Sequence, residues 1–237
     1  MHNSDGCGLL MNTRLLLLLI CYCISCSIHA TDRLIERHQF QNMTGEDVMT
    51  YEWSLVDKGN NQFLVVSVED DIRYENLCDQ SGQTISWSVR GPEADISAVR
   101  TGSIITIRGT FQGHLVEERH DLGDIPWYQA LSYSFRHFIR SDDQSVQFWT
   151  IRPDNLDALK MTVEKDGFET IDTASGRIES TRLKIRLAGV LKNFWKAYYW
   201  FDKRQSQFIR YEGVNGPPGT PKTVIELSLE KVMPDVS

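Results

Sequence analysis

A two-residue alternation of apolar and polar side chains sets in near Val48 and returns in segment after segment toward the C-terminus. Met49, Tyr51, Trp53 and Leu55 alternate with Thr50, Glu52 and Ser54, and Ile85, Trp87 and Val89 alternate with Ser86 and Ser88. Successive side chains of a strand point to opposite faces, so this pattern builds strands with one face buried and the other wet. Lys58-Gly59-Asn60-Asn61 reads as the hairpin turn before a strand over residues 63–68, and further strands read at 96–100, 103–109 and 114–120. Later come strands over 146–151 and 159–163, then Asp166-Gly167 as a hairpin turn into 168–172, and Ser175-Gly176 as another turn. Leu183, Ile185 and Leu187 alternate with Arg182, Lys184 and Arg186. The aromatic run over 194–201 is apolar on both registers, which predicts a strand covered on both faces. Residues 208–212 pair back on it, and 224–229 close the sheet.

One segment departs from this period. Trp127, Leu131, Phe135 and Phe138 recur at helical spacing, Asp124 has the chemistry of an N-cap, and Pro126 suits a first turn. The spacing predicts a helix over 125–140 with those four side chains against the sheet and Arg136 and Arg140 in water. About ten strands at hairpin spacing with one inserted helix define a mainly β fold. Its expected form is a strongly curved antiparallel sheet, an open or half β-barrel, with the helix packed on it.

Ahead of this domain, Arg14, an apolar run from Leu15 to Ile28 and the small residue Ala30 have the three regions of a secretory signal peptide. The run is shorter than the ~20 residues that cross a bilayer as a helix, so cleavage near Ala30 is expected. Met11 is an alternative start, because residues 1–10 add nothing such a leader needs. Ser25-Cys26 offers a second route, lipidation at Cys26, although Cys23 stands where a leucine is usual. The expected organisation is a signal peptide over 1–30, an N-terminal extension over 31–47, a single β-rich domain over 48–232 and a tail over 233–237. Either route delivers the chain to the periplasm, the cell envelope or the exterior with no transmembrane segment in the mature part.

Four of the five cysteines lie in the leader, which leaves Cys78 alone and an intrachain disulfide impossible in the mature chain. Free cysteine most often behaves as a small buried hydrophobe. A net charge of −7 with both signs interspersed argues against nucleic acid, whose binders concentrate a basic face.

Two motifs carry a family resemblance: Gly123-Asp124-Ile125-Pro126-Trp127 with Leu131 and Arg136, and Tyr199-Trp200-Phe201-Asp202 followed by Phe208-Ile209-Arg210. Their order resembles uncharacterised bacterial exported proteins of the domain of unknown function 3108 type, over residues 45–230. The architecture this implies is similar to the lipoprotein-carrier half-barrels of Gram-negative periplasms, which shield acyl chains inside a curved sheet. The resemblance transfers no catalytic residue and concerns fold, which does not fix function.

The residues offer little to catalysis. No Gly-x-Ser-x-Gly elbow is present, and Ser134 with His137 falls toward the apolar side of the helix, where packing is the better account. His114, Glu118 and His120 share one face of a strand, but residues four apart on a strand are separated by ~13 Å, too far to converge on zinc. The stretch 213–221 is rich in glycine and proline but lacks the Gly-Lys-Ser/Thr ending of a phosphate loop. It reads either as a stiff connector or as a rim loop over a cavity.

The leading expectation is a non-enzymatic carrier or binding module for an apolar ligand, a lipid or a lipoprotein acyl chain, with no cofactor and no metal. Trp127, Leu131, Phe135, Trp195, Tyr199, Phe201 and Val214 are its candidate ligand-binding residues. The mouth is expected at the 213–221 loop and at the helix end near Pro126 and Trp127. The alternative is an envelope assembly scaffold with another envelope protein as partner, a packed core and no ligand; an enzyme stands third. A concavity filled by Trp127, Phe135 and the aromatic strand would sink the carrier reading.

Overall fold

The computed structural model describes residues 32–173, 176–189, 195–214 and 220–228. The leader, Phe194, Ser175, most of the glycine- and proline-rich stretch and the C-terminal tail lie outside the described residues. Within them the chain forms fourteen strands and one helix. The strands are β1 (Arg33–Thr44), β2 (Asp47–Gly59), β3 (Gln62–Glu69), β4 (Ile72–Asp79), β5 (Thr84–Gly91), β6 (Ala94–Thr101), β7 (Ile104–Phe111) and β8 (His114–Asp121). After the helix α1 (Leu131–Arg140) come β9 (Ser145–Ile151), β10 (Ala158–Thr173), β11 (Gly176–Leu187), β12 (Lys196–Asp202), β13 (Phe208–Val214) and β14 (Lys222–Leu227).

All fourteen belong to one antiparallel sheet in the order β8-β7-β6-β5-β4-β3-β2-β1-β14-β13-β12-β11-β10-β9. The sheet is not closed, and it forms the curved half-barrel that the alternation predicts. Its hairpins are tight: Asn60 and Asn61 both adopt positive φ, 52° and 59°, between the paired residues Gly59 and Gln62. That conformation matches the right-handed twist of the strands it joins.

Three local expectations are corrected. The stretch 31–47, read as an extension, holds β1, which lies between β2 and β14. Its inward positions include Glu36, His38, Asn42 and Thr44, so polar residues hide the alternation there. Asp166-Gly167 is not a turn, because β10 runs through it with a register shift between Lys165 and Gly167 against β11. The helix starts at Leu131 rather than 125, its N-cap is Ala130, and Asp124 does not cap it. Residues 126–128 instead lie along β9, where Tyr128 N–H donates to Trp149 O at 2.9 Å and Trp149 N–H to Pro126 O at 2.8 Å. Those backbone groups are committed to the sheet edge and cannot also start a helix.

Two apolar clusters lie on the concave face. One gathers Phe40, Trp53, Leu55 and Val65 with Phe135, Phe138, Phe148, Leu183, Ile185 and Phe201. The other gathers Trp87, Ile96, Ile105 and Ile107 with Trp127 and Ile151. The helix belongs to the first.

Candidate functional site

The helix covers the concave face near the turns at 59–61, 79–83 and 203–206. Phe135 is fully buried and meets the rings of Tyr128, Phe148, Tyr199 and Phe201 at centroid separations of 6.2, 5.5, 5.7 and 6.5 Å. On its other flank Gly82, at φ +84°, presses against the Ser134 backbone, and a Cβ there would lie 2.8 Å from Ser134 Cα. Polar contacts fix the helix to β1 and β2. Arg136, expected in water, instead packs inward with its side chain 12% exposed and grips both oxygens of Glu36 at 2.7 and 2.9 Å. Its guanidinium sits 5.2 Å from the Trp53 ring, and Trp53 Nε1–H donates to Ser132 Oγ at 3.1 Å. Buried His38 lies 3.2 Å from Glu36 through Nε2. Burial opposes the charge on Glu36, but the hydrogen bonds from His38 and Arg136 and the charge of Arg136 outweigh it and bring its pKa to about 2. This end of the half-barrel is sealed.

Toward the turns at 45–46 and 70–71, at the opposite strand ends, the concave face continues beyond the reach of α1. Leu159, Leu187, Trp195, Tyr199 and Ile225 point inward there and are only half-buried. Tyr51 and Tyr199 are half-buried on the same face. Burial raises both hydroxyls well above the usual tyrosine value, with Glu69 adding to the shift of Tyr51 and Tyr211 to that of Tyr199. The wall needs Gly213, because a Cβ at that position would sit 2.2 Å from the Tyr211 hydroxyl. At the rim Trp195 Nε1–H donates to Val214 O at 2.6 Å, tying β12 to β13. Gly45 lies against Pro221 at these strand ends.

The seven candidate residues divide between these surroundings. Leu131, Phe135, Tyr199 and Phe201 come together under or beside the helix, with Phe135 and Phe201 fully buried. Trp195 and Val214 meet where β12 begins and β13 ends. Trp127 joins neither group; it is fully buried in the second cluster, and its indole donates to Gln129 at 3.0 Å. The mouth is therefore not at Trp127. Its helical spacing to Leu131 is a coincidence of an extended segment that packs the other way.

Four residues absent from that group gather at the open end. Glu69 stands directly opposite Tyr51 across β2 and β3, Asn42 Nδ2–H donates to Glu69 Oε1 at 3.0 Å, and Tyr74 follows one inward position along β4. Burial and the charge of Glu69 raise the Tyr74 hydroxyl as well. The signal that could have found them is a polar residue on the inward register: Asn42 on β1 and Glu69 at the end of β3.

Elsewhere the surface offers less. A groove of about 440 Å³ runs over the outer face of β1 to β4, between Leu34, Val56 and Leu64 and the ion-paired Arg37 and Glu52. Glu118 and His120 pair at 3.2 Å on β8, and among the described residues no three metal-binding side chains converge. Cys78 is fully buried, and burial pushes its thiol up to about 12. No described helix is long and apolar enough to cross a membrane.

The chain matches no family model and no curated protein. Among solved structures it is similar to a β-barrel-like protein of the domain of unknown function 1849 from Brucella abortus, at 10% identity and a TM-score of 0.56. That match covers 83% of this chain and 97% of the other. Weaker similarities join it to the hypothetical lipoprotein YmcC of Escherichia coli (9% identity, 98% and 100% covered, TM-score 0.40) and to a LolA superfamily protein of Nitrosomonas europaea (9%, 84% and 86%, 0.27). The first likeness shows the fold and nothing further. The 3108-type family is not shown by any of them.

Proposed function

We propose that this chain is an exported, non-enzymatic binding module of the cell envelope that holds an apolar ligand, a lipid or a lipoprotein acyl chain, in the hollow beyond the helix. The observation that carries this reading is the half-buried apolar wall of Leu159, Leu187, Trp195, Tyr199 and Ile225 on the concave side of the sheet. Inward-facing apolar surface left partly wet is unfavourable by about 25 cal/mol for each Å², and a ligand chain removes that cost. Each methylene withdrawn from water adds ~0.8 kcal/mol, so a chain of fatty-acid length survives purification. The leader supports delivery to the periplasm, by cleavage near Ala30 or by lipidation at Cys26.

A second reading, an assembly scaffold with no ligand, has its own support: Phe135, Phe148 and Phe201 are fully buried beneath the helix. The two readings then differ only over the mouth. Protein purified from its own envelope and extracted into organic solvent should yield one lipid-like molecule per chain by mass spectrometry. Trp195→Glu should deplete that molecule while the far-ultraviolet strand signal stays. Repeatedly empty protein that also fails to bind an apolar fluorescent probe leaves the scaffold reading.

A further inference from the structure

The mouth carries a feature that an acyl chain alone does not use. Glu69 is placed on the concave face by register, opposite Tyr51 on β2 and Ile72 on β4. It accepts one hydrogen bond, from Asn42 at 3.0 Å, and among the described residues no cation lies within ion-pair distance of it. The contrast with Glu36 is informative, because that inward carboxylate is matched by Arg136 and His38. Donating to Glu69 also fixes the Asn42 amide; turned over, its oxygen would face the carboxylate. In that orientation Asn42 Oδ1 is buried without a hydrogen-bond partner among the described residues. Among the described residues Glu69 thus lacks a cationic partner and Asn42 Oδ1 lacks a donor, and leaving such buried acceptors unmatched costs free energy.

We propose that Glu69, with Asn42, Tyr51 and Tyr74, receives an ammonium group on the ligand, so that the protein selects amine-headed amphiphiles over anionic ones. This rests on the apolar-ligand reading above and adds the head group to it. Tyr51 is paired with Glu69 across the strands, with one ring face stacked on Phe40, and Tyr74 lies one inward position along β4; aromatic faces attract cations. The turns that frame the mouth add exposed Glu46, Asp47, Asp70 and Asp71, whose combined field gathers cations and repels anions. A merely solvated strand-end carboxylate accounts for the data less well, since Glu69 is half-buried and engaged by a partly buried amide.

The test is calorimetric titration of the delipidated mature protein with dodecylammonium, dodecyl sulfate and ethylammonium, each below its micellar concentration. Dodecylammonium should bind about tenfold more tightly than dodecyl sulfate, the worth of one partly buried ion pair. Glu69→Gln should erase that preference while leaving dodecyl sulfate binding intact. Tyr74→Leu, which keeps the carboxylate, should weaken dodecylammonium alone and stands in if the first variant does not fold. Ethylammonium should bind far more weakly than its long-chain counterpart; equal affinity would identify free amines as the ligand and overturn the amphiphile. If both long-chain compounds bind equally, or the preference survives Glu69→Gln, the head-group assignment fails alone. If neither long-chain compound binds, the apolar-ligand reading fails with it.

Discussion

Replacing Glu36 by Gln tests whether the helix is held by the buried polar contacts to β1. In the folded protein the Glu36 pKa falls from 4.5 to about 2, and each unit is worth ~1.36 kcal/mol, which sets a ceiling of about 3 kcal/mol. The side chain is 28% exposed and solvent screens part of the interaction, so about 1 to 2 kcal/mol is expected. The sign follows from the direction of the shift. A depressed folded-state pKa contributes stability in full above 4.5 and loses it as pH falls through about 2. Urea unfolding of wild type and Glu36→Gln at a series of pH values should therefore show a gap of about 1 to 2 kcal/mol at neutral pH that narrows steadily below 4.5. A gap of constant size would assign the loss to packing or to the stranded Arg136. No gap at neutral pH would refute the latch.

Three further outcomes follow from the same core. Phe135→Ala should cost about 3 to 5 kcal/mol in the same unfolding assay, and a cost under ~1 would mean that the helix rides loosely on the sheet. Gly82→Ala should lower stability by more than ~1 kcal/mol, because a Cβ there meets the Ser134 backbone at 2.8 Å and φ is +84°; an unchanged midpoint would show that the 79–83 turn does not press on the helix. Cys78, fully buried with its thiol pushed up to about 12, should ignore an aromatic disulfide reagent until urea unfolds the protein, whereas rapid native labelling would reveal local opening of β4.

The period-two pattern made most of the sheet legible, because wherever inward positions are apolar the face they bury is unambiguous: Trp53 and Leu55 on β2, Leu183 and Ile185 on β11. It failed where tertiary partners make polar residues tolerable inside. Glu36 and His38 look wet in sequence, and only Arg136, 100 residues away from Glu36, explains them. Asp166-Gly167 has turn chemistry, yet Gly167 at φ +120° serves a bulge that lets β10 continue, and the Arg182 guanidinium takes Asp166 at 2.8 Å. The helix starts later than its local pattern because Pro126 and Trp127 fit a first turn by local rules, while β9 captures the backbone of this segment by rules that act at a distance. Of the candidate site, the aromatic wall was visible in the run that ends at Phe201. Asn42 and Glu69 were not, since nothing local distinguishes an inward polar residue from a turn residue.

Element lengths argue that the open mouth follows from the fold itself. Ten helical residues span ~15 Å, whereas the twelve residues of β1 and the sixteen of β10 reach ~40 and ~50 Å when extended. One such helix can seal one end of the concavity and no more. The polar latch of Glu36, Arg136 and His38 commits it to that end, and Phe135 fills the space beneath. Apolar side chains that the alternation directs inward at the other end, among them Leu187 and Ile225, are then only half-buried among the described residues. A second copy of the chain is a poor cover for them, because the acidic turns at 46–47 and 70–71 would meet their own like charges across such an interface. A ligand with an apolar chain and a positively charged end satisfies the wall and the rim together.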